Sequence, residues 1–131
     1  MEFLSHFKMK NIFYTGNIKL VSKTSQFKIN NVNQKFLSEN KFWLAASTHK
    51  GEEIFCLKTH LKIKENHKNI ITIIAPRHIN RILEIKKKCD NFNLTSQILN
   101  KDDLILENKE IILINSFGVL PSFFNYAKSV F

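Results

Sequence analysis

The sequence predicts an α/β domain, a parallel sheet with helices on both of its faces. Three short apolar runs carry that prediction: residues 42–46 (FWLAA), 70–75 (IITIIA) and 110–114 (EIILI). They lack the alternation of a half-solvated strand, so each is expected to be covered on both faces. The stretches between them place apolar residues at helical spacing. Strand followed by helix followed by strand implies right-handed crossovers and a Rossmann-like layout. A chain of 131 residues that is 44% hydrophobic is long enough for one sizeable core.

In chain order, residues 1–10 read as a short amphipathic piece and 11–15 (NIFYT) as a further strand. Residues 22–33 are polar and resemble a linker, and 33–40 read as a helix leading into the strand at 42–46. Residues 52–67 are expected to be helical, with Ile54, Leu57 and Leu61 at the spacing of one face. The strand at 70–75 is followed by a helix over 79–88 that places Ile79, Ile82 and Leu83 together. It ends in Lys86-Lys87-Lys88, where cations suit the helix dipole. Residues 92–95 (FNLT) read as a weaker strand, 110–114 as a strong one, 120–128 as another helix and 129–131 as a strand just beginning. The chain thus divides into 1–29, a leading piece with a linker-like stretch, and 30–131, an α/β domain incomplete at its C-terminus. An ending in an unfinished apolar strand makes a fragment of a larger protein the expectation.

The formal net charge is +9, yet Lys, Ile, Asn and Phe are abundant while Gly, Pro and Arg are scarce. That profile fits a drift toward A/T-rich codons, so the basic balance is weak evidence for nucleic acid, and no nucleic-acid partner is expected. Cys56 and Cys89 lie far apart in no metal-binding spacing and read as reduced, semi-buried thiols. No apolar run nears the roughly 18 residues of a membrane span, so a soluble chain is expected. HExxH, EF-hand and paired-His patterns are absent, so no metal site is expected. With three glycines in all, neither GxGxxG nor GxxxxGK[ST] is present, and no cofactor is implied.

Ligands of an open α/β sheet bind beyond the carboxyl ends of its strands. Behind the four expected strands come Ser47-Thr48-His49, Pro76-Arg77-His78, Ser96-Gln97 and Asn115-Ser116-Phe117-Gly118. In the usual order 3-2-1-4-5 the first and fourth strands are neighbours, which would put Thr48 and Gly118 on either side of a crevice. Such a rim suits a phosphate, because free N–H groups at helix starts attract anions and Arg77 offers a planar fork. The two arginines, Arg77 and Arg81, lie four apart in PRHINR, a concentration that points to geometry rather than generic charge. Arg81 has a second reading, as partner of Glu84 or Glu52. His49 and His78 fit either a contact to an anion or a local helix-start hydrogen bond. Glu52 and Glu53 read as complements to a helix dipole.

Four motifs, TGNIK (15–19), AASTHKGEE (45–53), APRHINR (75–81) and NSFGVL (115–120), resemble those of the 3-deoxy-D-manno-octulosonic acid (Kdo) transferases. The family pattern there is GNLK, ASTHEGEE, PRHPER and DTMGEL. The resemblance covers nearly the whole chain and implies the C-terminal, donor-binding half of a GT-B glycosyltransferase, truncated. It implies transfer of Kdo from CMP-Kdo to a lipid A precursor, with inversion and without metal, in the lipopolysaccharide synthesis of a Gram-negative bacterium. The full-length protein would then work at the cytoplasmic face of the inner membrane. Its N-terminal domain, of which residues 1–29 would be the end together with the interdomain linker, would carry the acceptor site and the acidic general base. Carried over by motif, Pro76 and Arg77 match the nucleotide contact, and Phe117, Gly118 and Val119 match a Met-Gly-Glu that also touches CMP. Ser47, Thr48, His49, His78, Arg81 and Ser116 would form the wider rim. Asn115 in place of Asp and Val119 in place of Glu depart from the pattern. A Gly-rich Asn-Pro-Leu-Glu segment would follow Phe131, so the isolated chain is expected not to catalyse transfer. Two other readings remain: a diverged GT-B domain using another nucleotide sugar, and a non-catalytic basic binding module.

Overall fold

The computed structural model describes residues 28–131. The amphipathic piece at 1–10 and the strand at 11–15 lie outside the described residues, as does most of the segment 1–29. The elements run α1 (Asn31–Glu39), β1 (Phe42–Thr48), α2 (Glu52–Lys64), β2 (Ile71–Pro76), a 3-10 turn (Ile79–Arg81) and α3 (Ile82–Asn91). They continue with β3 (Ser96–Leu99), β4 (Ile111–Ile114), the short α4 (Pro121–Phe124) and β5 (Ser129–Val130). Among the described residues all strand pairings are parallel, in the order β3-β4-β2-β1-β5.

The apolar runs become the three central strands, and their side chains alternate between two cores. Phe42, Leu44, Ile73, Ile112 and Ile114 face one, closed by Leu37 of α1 and Phe123 of α4. Trp43, Ala45, Ile74, Ile111 and Leu113 face the other, closed by Leu57 of α2 and Ile85 and Cys89 of α3. A strand inside two cores gains on both faces, which is why no polar alternation is visible in these runs.

Several expectations need correction. The sheet order is not 3-2-1-4-5: β4 pairs with β2, and β2 separates it from β1. Residues 92–95 are not a strand. Phe92 closes the end of α3 and buried Leu94 packs into the α2/α3 core, so pairing begins only at Ser96. Ser96 and Gln97 therefore lie within β3 and not on the rim, which begins after Leu99. The polar stretch read as a linker to residue 33 ends sooner, because Ile29 is buried in the first core. There Asn30 caps α1 by accepting the Asn33 N–H at 2.8 Å. The last helix shrinks to Pro121–Phe124.

The helix faces differ in part from expectation: Leu57 and Ile82 are buried as expected, but the rest of each face is shifted. On α2 the buried residues are Glu53, Cys56, Leu57 and His60, while Leu61 is exposed. On α3 they are Ile82, Ile85 and Cys89, while Leu83 is 71% exposed. Burial raises both thiols, Cys56 and Cys89, to about 11, so they stay protonated near neutrality.

Candidate functional site

Because β2 lies between β1 and β4, the loops after these three strands stand side by side along the carboxyl edge of the sheet. They enclose a crevice of about 330 Å³ lined by Ser47, Pro76, Arg77, His78, Ser116, Phe117 and Gly118, with Ile114 and Leu120 below. Seven residues singled out from sequence thus meet in one place. The corrected strand order is what brings them there.

Each wall has a backbone device. On the β1 side, the register with β2 runs Ala46↔Ala75 and then Thr48↔Pro76, leaving Ser47 as an extra residue. Ser47 sits at φ 58, a left-handed conformation that a non-glycine residue rarely takes. Such a bulge re-aims its neighbours: Ser47 faces the crevice, while Thr48 turns inward and is fully buried. On the β4 side, Gly118 sits at φ 76, and there glycine escapes the cost a Cβ would carry. Phe117 beside it is 74% exposed, a large apolar ring held at the mouth of the crevice.

Arg77 is exposed at the crevice, and its guanidinium has no acidic partner among the described residues. Its backbone is fixed, since its N–H donates to the Thr48 carbonyl at 2.9 Å. His78 lines the crevice and His49 does not. Val119 lies beneath the crevice in the α1/α4 core and is 4% exposed. A glutamate at that place would bury a charge without a partner, so the departure at Val119 suits the packing. Asn115 is tied down, its side-chain NH2 donating to Asn100 Oδ1 at 2.9 Å.

Arg81 behaves differently. Its Nη1 and Nη2 donate to Glu53 Oε1 and Oε2 at 2.9 and 3.1 Å, and its Nε lies 3.5 Å from Glu84. The pairing alternative holds for Glu84, but the main partner is Glu53 rather than Glu52. Glu53 is fully buried and also receives the Thr48 hydroxyl at 3.3 Å and the Gly51 N–H at 3.2 Å, with Lys88 Nζ 3.8 Å away. Burial opposes its charge, but the Arg81 hydrogen bonds, the backbone N–H and the nearby cations outweigh it. The Glu53 carboxyl is thereby held below its ordinary value. Glu52 in turn accepts the His49 N–H at 2.7 Å. The start of α2 is therefore already served by two carboxylates of its own and is not an open anion site. Glu53 was missed because a glutamate in a first turn reads as a dipole complement; its burial depends on the third dimension.

Among the described residues no group of three or more His, Cys, Asp or Glu side chains could hold a metal ion. None of the helices in that part is long and apolar enough to cross a membrane.

No protein-family model matches the chain. A 3-deoxy-D-manno-octulosonic acid transferase of Haemophilus influenzae is 32% identical over 112 residues, 81% of this chain and 26% of that protein. The chain is a relative of the Kdo transferases. The Rickettsia conorii enzyme of the same name is 29% identical over 86% of this chain and 25% of its own length. The chain therefore spans about a quarter of the curated relatives it matches. A bifunctional glycosyltransferase/methyltransferase of Fusobacterium nucleatum is 32% identical over 75% of this chain and 15% of that protein. Among solved structures, the C-terminal CMP-Kdo binding domain of WaaA from Acinetobacter baumannii superposes with a TM-score of 0.64. It is 24% identical, with 76% of this chain and 52% of that one covered, which establishes the shared Rossmann-like fold.

Proposed function

We propose that this chain binds the CMP end of a CMP-Kdo donor, as part of a Kdo transferase that builds lipopolysaccharide. The observation that carries this reading is the crevice at the carboxyl edge of the sheet, where Arg77 has no acidic partner among the described residues and faces the Ser116-Phe117-Gly118 turn. A planar guanidinium with a fixed backbone suits a phosphate ester, and an exposed ring beside a glycine turn suits a nucleoside face. Pro76, Arg77, Phe117 and Gly118 are the proposed contacts, with Ser47, His78 and Ser116 on the rim. Val119 supports the turn from within the core, and Thr48 and Arg81 support the opposite wall. In the reaction Arg77 would neutralise charge on the departing CMP phosphate, a role that needs no rearrangement of the site. The name of the Acinetobacter baumannii neighbour, a CMP-Kdo binding domain, agrees with this choice of nucleotide.

The acceptor, a lipid A precursor, and the general base belong on this reading to the N-terminal part of the longer protein. That protein works at the cytoplasmic face of the inner membrane, where a basic chain suits an anionic leaflet. Diverged specificity is the second reading, favoured by the departure at Asn115, where the family pattern has Asp.

Titration with CMP, UMP and a short single-stranded DNA, followed by backbone amide shifts, tests both. CMP should move Ser47, Arg77 and Gly118, and Arg77→Ala should abolish the effect. A response to UMP but not CMP would support the second reading, and a response to DNA alone would end both. In a radiolabel assay the isolated chain should show no Kdo transfer.

A further inference from the structure

The loop that carries Arg77 and His78 is anchored on both sides, and both anchors lead to one carboxylate. Upstream, the Arg77 N–H is held by the Thr48 carbonyl at 2.9 Å, and the Thr48 hydroxyl donates to Glu53 Oε1 at 3.3 Å. Downstream, Arg81 closes the 3-10 turn that follows the loop and grips both Glu53 oxygens at 2.9 and 3.1 Å. Glu53 also accepts the Gly51 N–H at 3.2 Å, which ties it to the start of its own helix. The carboxylate therefore joins the end of β1, the start of α2 and the far end of the Arg77 loop at one buried point. Glu53 does not line the crevice, and neither does Arg81.

A buried charge is costly unless every lone pair is used, and here each oxygen has at least two donors. For fold stability alone, a well-packed apolar pair in place of both Glu53 and Arg81 would serve as well. What an apolar residue could not do is fix the direction of a planar guanidinium and a strand-end hydroxyl at once.

Resting on the donor-binding reading, we infer that Glu53 is the positioning residue of the donor site: it sets the Arg77-His78 loop against the Phe117-Gly118 turn without touching the ligand. The two arginines then divide the work. Arg77 faces the crevice and Arg81 holds the loop that presents it.

The test uses the 131-residue chain with Glu53→Gln, and with Glu84→Gln as the comparison, since Glu84 is half-exposed and touches Arg81 and Lys88 but not Thr48. Without ligand, Glu53→Gln should shift the amides of Thr48, Arg77, His78 and Asn80 and speed their exchange. Amides at the opposite end of the sheet, such as Lys41 and Ile70, should stay in place. A residue that merely stabilises the fold would raise exchange throughout. In CMP titrations Glu53→Gln should weaken affinity by on the order of tenfold, while Glu84→Gln stays within about twofold. Should Glu53→Gln fail to fold, Arg81→Lys keeps the charge, loses the fork and should give the same pattern at smaller amplitude. Unmoved loop amides overturn the inference, as does CMP affinity within about twofold of the parent despite moved amides. If the unaltered chain ignores CMP, the donor reading fails. The positioning role is then decided by the ligand-free amides alone.

Discussion

Helices α2 and α3 lie against the same face of the sheet and do the same topological work, each returning the chain for another parallel strand. Their buried faces could hardly differ more. Helix α3 buries Ile82, Ile85 and Cys89, a run of apolar side chains three and four residues apart. Helix α2 keeps that spacing but fills it with Glu53, Cys56, Leu57 and His60. Its upper end carries the Glu53 network beneath the crevice. Its lower end carries His60, whose Nδ1 meets Thr72 Oγ1 at 2.8 Å and whose Nε2 has no hydrogen-bond partner, 3.9 Å from Glu110. Glu110 itself pairs with Lys64. The buried face of α3 thus contributes packing, with Glu84 and Lys88 reaching the Glu53 network from its more exposed side, while the buried face of α2 itself holds two polar junctions. The difference teaches that an equal position on a sheet does not mean an equal role. The helix that follows the first strand is the one wired to the rim.

The largest effect that would sharpen this contrast is on the apolar helix. Ile85→Ala should cost about 2–5 kcal/mol in denaturant unfolding, the usual range for a fully buried aliphatic truncation. It should leave the loop amides of Arg77 and His78 where they are. Should that variant disturb the crevice, the division of labour between the two helices would be wrong.

Next comes His60. Replacing it by leucine strips the Thr72 hydroxyl of its partner inside the core, which should cost about 1–3 kcal/mol. Adding Thr72→Val removes the stranded hydroxyl and should recover most of that loss. A double variant no better than the single one would show that the imidazole matters for more than this bond.

The pH dependence should follow from the same helix. Burial, aided by Lys64 and opposed by Glu110, holds His60 below its ordinary 6.5. The unfolded chain therefore takes up the proton first as pH falls. Stability from His60 is complete above about 6.5 and declines below it. Glu53, held below its ordinary 4.5, contributes above that value and loses its contribution as pH falls through its lowered one. Unfolding midpoints should thus fall in two stages with acid. The His60→Leu/Thr72→Val variant should flatten the upper stage only. A parent profile that is level from pH 7 to 5 would remove His60 from this account.

The smallest effect belongs to the residue the sequence pattern misplaced. Leu83→Gln should change stability by no more than about 0.5 kcal/mol, because Leu83 is exposed. A loss as large as that of Ile85→Ala would mean the helix face was drawn wrongly.

These residues also mark how far the sequence could be read. The strands at 42–46, 70–75 and 110–114 were legible because burial on both faces leaves an unbroken apolar run. The residues of the crevice were legible because they follow those strands directly. The sequence did not reveal the strand at Ser96–Leu99. Its pattern Ser-Gln-Ile-Leu is weak, while the preceding Phe-Asn-Leu-Thr looked stronger but serves to end α3. The faces of α2 were hidden because hydrophobicity ranks Ile54 and Leu61 above Glu53 and His60, and only partners make the latter cheap to bury.

By itself, then, the sequence determined the α/β class, the central strands and the short polar segments at their carboxyl ends, because each depends on local composition and spacing. Only the tertiary structure decided the strand order, the meeting of the β1, β2 and β4 loops around one crevice, and the separation of Arg77 from Arg81. Those depend on contacts between residues distant along the chain. Arg81 and Glu53 are 28 positions apart, and no periodicity announces that a buried carboxylate will find its guanidinium there.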